Sequence, residues 1–175
     1  MGLIIGYDPE TLREQVDLAA CQQRLDELGA QRSLPALLER VWLLKVLGNP
    51  EQALDVSEQS IRLARMAGTR RELLRARMLR ATVRHAHGDS VGAIAELTAC
   101  AEEAEGQGWL QMAAFAYQHR GKVHFDLAEF EEARTDFKRA LFLRQKMGLP
   151  DDQLESTLLA IDTADRRRHT ASPAE

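Results

Sequence analysis

Apolar residues recur every three or four positions along most of the chain, in stretches separated by Gly, Asn-Pro or Asp. That spacing puts apolar side chains on one face of an α-helix. Asp8-Pro9 reads as a cap followed by proline at the first helical position. Leu12, Val16, Leu18, Leu25 and Leu28 then keep the helical period to Gly29, predicting a helix over 9–28. Ser33 caps a second helix through Leu37, Leu38, Val41, Leu44 and Leu47, ending at Gly48. Asn49-Pro50 repeats the cap-then-proline signal and opens a third, to Ala67. Thr69-Arg-Arg-Glu72 is a capping box, in which hydroxyl and carboxylate each satisfy an orphan N–H. The helix it starts runs to His87. Asp89 caps the next to Glu105, Trp109 opens one to Asp126, and Phe130 opens one to Met147. The last helix, 151–168, has Asp151 and Asp152 in its first turn and Arg166, Arg167 and Arg168 in its last, as the helix dipole favours. Its spacing predicts a buried stripe of Leu154, Leu158, Ile161 and Ala164, leaving Asp152, Glu155, Asp162 and Asp165 in water. The pattern predicts an all-α protein of eight helices. Residues 1–7 are an apolar lead, and 169–175 are expected to be a disordered tail.

Shifting the chain by forty residues restores the pattern. Gly48-Asn-Pro-Glu-Gln-Ala53 aligns with Gly88-Asp-Ser-Val-Gly-Ala93 and with Ala128-Glu-Phe-Glu-Glu-Ala133. Turn residues fall at Gly48, Gly88 and Ala128, and again at Gly68, Gly108 and Gly148. Small residues inside the following helix fall at Ala53, Ala93 and Ala133, then at Ser60, Cys100 and Ala140. A further small column in the preceding helix reads Val41, Ala81 and Gly121. Small residues at fixed spacing mark places where two helices approach closely.

The stretch Arg120–Leu141 carries this pattern most fully, with Gly121, Ala133 and Ala140 set among Val123, Phe125, Leu127, Phe130 and Phe137. It resembles the tetratricopeptide repeat (TPR), a helix–turn–helix unit that stacks with its neighbours. The resemblance implies an α-solenoid of antiparallel helix hairpins wound as a right-handed superhelix, one domain over residues 8–168. Its phase gives repeats at 31–67, 70–105 and 109–147, preceded by the helix at 9–28 and capped by that at 151–168. The forty-residue period exceeds the family's usual one and is similar to the long-helix TPR domains of kinesin light chains and some bacterial regulators. The family's aromatic column reads Leu44, Arg84 and His124 here, and Ser57 stands where Leu97 and Phe137 supply bulk in the other copies.

What the resemblance implies about function is binding. The first helix of each TPR lines an inner groove. Carried over by phase, the groove positions are Leu38, Trp42 and Lys45; Arg75, Met78, Thr82 and His85; and Phe115, Gln118, Lys122 and Phe125. Apolar anchors among cations imply a protein or peptide partner with acidic groups. The leading expectation is a non-enzymatic interaction scaffold without cofactors. The alternative is a sensory or regulatory TPR domain of a bacterial signalling or transcriptional system, binding a short peptide or small ligand.

Composition narrows the field. The net charge of −4 argues against generic nucleic-acid binding. No apolar run approaches the roughly 20 residues needed to span a bilayer, nor does the N-terminus read as a signal peptide, so the expected compartment is the cytoplasm. Only four lysines stand against the many arginines, a bias common in GC-rich bacterial genomes. Cys21 and Cys100 lack metal-ligand spacing and read as buried thiols. The five histidines include no i, i+4 pair, and no phosphate loop or nucleophile elbow is present. Leu3, Ile4 and Ile5 fold back on the first helix or, alternatively, form a homodimer contact. The helix at 70–87 carries Arg70, Arg71, Arg75, Arg77, Arg80 and Arg84, and the next is acidic. Two antiparallel neighbours with paired charges at their rim account for this, and an anion-binding strip is the functional alternative.

Overall fold

The computed structural model describes residues 2–171, and among them the chain forms eight helices and one two-stranded sheet. It divides into two compact units. The first comprises residues up to Gly6 and then Glu14–Glu96; the second comprises Tyr7–Arg13 and the chain from Leu97 onward.

Unit 1 contains β2 (Glu14–Val16), α1 (Leu18–Leu28), α2 (Leu34–Val46), α3 (Pro50–Ala67) and α4 (Arg70–Ala86), with most of β1 (Ile4–Tyr7) and the start of α5 (Ser90–Gly106). The helix expected over 9–28 is corrected here: only Leu18–Leu28 is helical, and Asp17 caps it by accepting from the Ala20 N–H at 3.0 Å. Asp8 does act as a cap, but of a turn. Its carboxylate accepts from the Glu10 and Thr11 N–H groups at 2.8 and 2.9 Å. Leu12 then takes a φ of 57°, which reverses the chain and sends Glu14–Val16 back beside β1. The same Asx chemistry serves helix and turn alike. Leu3 and Val16 pack, half-buried, against Cys21, Leu28, Ala36 and Leu43, whereas Ile5 is 70% exposed. The α2–α3–α4 core is built from Val41, Leu44, Ala53 and Val83 and from Leu38, Ile61 and Ala76. The Thr69–Glu72 capping box forms as the sequence predicts.

Unit 2 holds the rest of α5, then α6 (Leu110–Asp126), α7 (Phe130–Lys146) and α8 (Asp151–Ala171). The helix therefore continues into the expected disordered tail as far as Ala171; residues 172–175 lie outside those described. α6 and α7 form the hairpin expected of the third repeat. A β-carbon on Gly121 would lie 2.6 Å from Cε1 of Phe137 and 3.1 Å from the Ala133 carbonyl, so only glycine lets the helices come this close. Phe137 is fully buried, a contribution of about 1.5–3 kcal/mol.

α8 packs on α7 through most of the predicted stripe, with Leu154 and Ala164 buried and Ile161 packed against the core, but without Leu158. Leu154, Thr157, Ala160, Thr163 and Ala164 are buried, Leu158 is 48% exposed, and Asp165 pairs with Arg134 at 2.6 Å. The buried face is wider than predicted, because Thr157, Ala160 and Thr163 join it where Leu158 does not. Both cysteines are buried, and neither is in a disulfide.

Gly121→Leu should lower stability by about 1–3 kcal/mol through overpacking against Phe137. The check is a shift of the urea midpoint at constant m-value, and an unchanged midpoint would mean that the two helices do not meet there.

Candidate functional site

The predicted groove positions fall into two groups. Leu38, Met78, Thr82, Gln118 and Phe125 are each no more than 8% exposed. Leu38 packs with Ile61 and Ala76, and Phe125 packs with Leu12 and Phe137. Gln118 accepts a hydrogen bond from the Thr157 hydroxyl at 3.0 Å. These five are packing residues, which corrects their assignment to an open surface. The long helices bury two stripes rather than one, and the position chosen for the groove lies at the edge of the second.

The other six are accessible. Arg75 is exposed, and Trp42, Lys45, His85, Phe115 and Lys122 are half-buried. In unit 1 the Trp42 indole N–H donates to the Glu14 carboxylate at 3.2 Å, and the Lys45 ammonium lies 3.6 Å from it. In unit 2 the Lys122 ammonium sits 5.5 Å from the centre of the Tyr7 ring, and the Phe115 ring lies 4.1 Å from that of His119. Both patches are therefore touched by the N-terminal segment, a relation that periodicity alone could not reveal.

The arginine-rich helix resolves differently. Glu96, 8% exposed, accepts a two-pronged bond from Arg80 at 3.1 and 2.5 Å, with Arg84 at 3.5 Å and Arg77 at 4.0 Å. Arg80 reaches Glu58 of α3 at 2.8 Å with its third nitrogen. The bond to Glu96 holds the Arg80 pKa above its ordinary value. The opposite charges do pair, as the sequence suggests, but around a buried carboxylate rather than at an exposed rim.

Forty residues on, the arrangement recurs. Arg120 forks onto the buried Asp136 at 2.8 and 2.6 Å, and its third nitrogen donates to Thr98 of α5 at 2.9 Å. One arginine thus ties its own hairpin together and reaches back to the hairpin before. The signal was in the sequence as two columns, Arg40, Arg80 and Arg120 against Val56, Glu96 and Asp136. The first copy lacks the acid, and Arg40 donates instead to the Gly29 carbonyl. These arginines are structural. Among the described residues no group of three or more His, Cys, Asp or Glu side chains could hold a metal ion, and no helix is long and apolar enough to cross a membrane.

Stacked helix hairpins with small residues at their crossings define a TPR-like helical-repeat fold, an α-solenoid. Among solved structures the chain is similar to BtubC (BKLC) from P. vanneervenii, with a TM-score of 0.56 over 90% of this chain and 75% of that one. At 13% identity the likeness is one of fold. No family model matches the chain, and no curated protein matches it.

Glu96→Ala should destabilise unit 1 by about 2–4 kcal/mol, because it strands the Arg80 guanidinium in a mostly dry site. Glu105→Ala, which removes a partly exposed partner of Arg139, should cost less than about 1 kcal/mol. Chemical denaturation of the two variants side by side checks the difference, and equal effects would contradict the structural role of Glu96.

Proposed function

We propose that this protein is a non-enzymatic interaction module that binds an acidic segment of a partner protein on the first helices of its hairpins. The observation that carries this reading is the way Glu14 sits on Trp42 and Lys45. An aromatic N–H and an ammonium converge there on one carboxylate, which is the chemistry an acidic partner residue would meet. Arg75, exposed on α4 of the same unit, adds a further cation. Aromatic and cationic side chains of this kind supply most of the energy at protein interfaces. The TPR-like fold supports the reading, since helical repeats offer extended binding surfaces.

The test is affinity capture with the full chain, comparing wild type with Lys45→Gln, Arg75→Gln. A specific protein partner should be recovered with wild type and weakened at least about tenfold by the double variant, given that a desolvated charge contact is worth more than 1.4 kcal/mol. Helix content should stay unchanged. Undiminished binding by a folded double variant would rule out the cations, and a co-purifying small molecule with no protein partner would rule out the scaffold.

A further inference from the structure

The loop Tyr7–Arg13 belongs to unit 2, although it precedes unit 1 in most of the chain. It is closed on itself. The Asp8 N–H donates to the Arg13 carbonyl and the Leu12 N–H to the Asp8 carbonyl, both at 2.8 Å. Hydrogen bonds from the Glu10 and Thr11 N–H groups hold the Asp8 carboxyl below the usual carboxylate range. The loop thus carries much of its own structure and rests on the helices through side-chain attachments.

Leu12 is the main one. It is 2% exposed among Phe125, Ala133, Phe137, Ala160 and Ala164. It reaches that pocket only by adopting φ 57°, a conformation unfavourable for any residue with a β-carbon. The Thr163 hydroxyl donates to the Pro9 carbonyl at 3.0 Å. Further ties are the exposed ion pairs Glu10–Arg167 at 2.7 Å and Arg13–Asp126 at 3.3 Å, a class of contact that contributes little, and the Tyr7 ring against Lys122.

The other end of the same surface is cationic. Lys122 faces the Tyr7 ring, and the partly buried Arg144 donates to the Thr157 hydroxyl, which in turn bonds Gln118. Among the described residues no carboxylate pairs with Arg144, and burial pulls its pKa below the ordinary value against the opposing influence of Tyr7. A partly buried guanidinium without a counter-charge is unfavourable unless something supplies one. The covering loop brings an aliphatic side chain to the pocket but only a phenol ring toward the cations.

We propose that the loop Tyr7–Arg13 is a displaceable occupant of a peptide site in unit 2, whose ligand is a partner segment bearing an aliphatic side chain for the Leu12 pocket and a carboxylate for Arg144. Thr157, Ala160 and Ala164 lie along one face of α8, so the two subsites are separated by about 5–10 Å at the 1.5 Å rise of a helix. An extended segment spans that distance in about two or three residues. The ligand therefore carries its acid about two or three positions from its Leu, Ile or Met. The loop and the ligand compete, so the chain is self-covered until an acidic partner replaces Tyr7 and Leu12.

This deepens the interaction reading, and its test uses the chain's own loop, so it can fail while the capture result at Lys45 and Arg75 stands. Leu12→Glu in the full chain drives the loop off its pocket. A fluorescent synthetic peptide of residues 7–13 should then bind this variant at least tenfold more tightly than it binds wild type, read by anisotropy. The same peptide carrying Tyr7→Glu should bind at least fivefold more tightly again, and Arg144→Gln should abolish that second gain. If Leu12→Glu melts without cooperativity, Glu10→Arg, Arg13→Glu serves in its place, since it reverses both ion pairs and leaves the pocket apolar. A folded variant that binds no peptide, or equal binding by wild type, overturns the proposal. So does unfolding of both variants, which would make the loop part of the core. Binding without the Tyr7→Glu gain overturns the carboxylate subsite.

Discussion

Both units depend on paired helices approaching closely enough that only small side chains fit where they cross. Ala53, Ala93 and Ala133 are fully buried, as are Ser60, Cys100 and Ala140. A compensation runs through two further columns. Val41, Ala81 and Gly121 shrink from copy to copy, while Ser57, Leu97 and Phe137 grow. All six are buried, and in the third copy the glycine sits directly against the phenylalanine ring. Close-packed interiors tolerate exchanges that conserve volume and resist those that do not. Ser57 is therefore no defect of the first repeat. Its hydroxyl is satisfied by the Leu54 carbonyl at 2.7 Å, and Val41 supplies bulk in the facing column.

Helix periodicity and the forty-residue spacing made most of the fold legible, because both report burial directly. The turns were legible too. Gly48 and Gly88 have φ of 79° and 93°, and Ala128 holds the same left-handed position at 60° despite its β-carbon. Where reading failed, one chemistry had two uses. Asp8-Pro9 starts a turn as readily as a helix, and only the return of Glu14–Val16 decides between them. On α8 the leucine spacing placed Leu154, Ile161 and Ala164 correctly and Leu158 wrongly, and it could not show that Thr157 and Thr163 are buried with their hydroxyls bonded.

The site was less legible than the fold. Groove positions transferred by phase assume a helix with one buried stripe, and the longer helices here bury more. Five of the eleven positions consequently pack inward. The Arg–acid pairs were visible as columns, but their meaning needs the third dimension, since a charge run reads equally as solvated face or as clamp. No one-dimensional pattern could show that Tyr7, Leu12 and Glu14 come to lie on Lys122, Phe125 and Trp42. Those contacts tie the N-terminal segment to the surfaces proposed for a partner and give it a regulatory reading rather than a decorative one.

The central claim is that the unit 2 surface becomes available by local departure of the loop, without unfolding of the helices beneath. Native-state hydrogen exchange tests it most directly, because local and global openings differ in their dependence on denaturant. The Asp8 and Leu12 amides are both hydrogen-bonded within the loop, and those of Val123 and Phe137 lie inside α6 and α7. The account predicts that the loop amides exchange through an opening nearly insensitive to low denaturant and far faster than the helix amides. Loop and helix amides exchanging together, with the denaturant dependence of global unfolding, would contradict it.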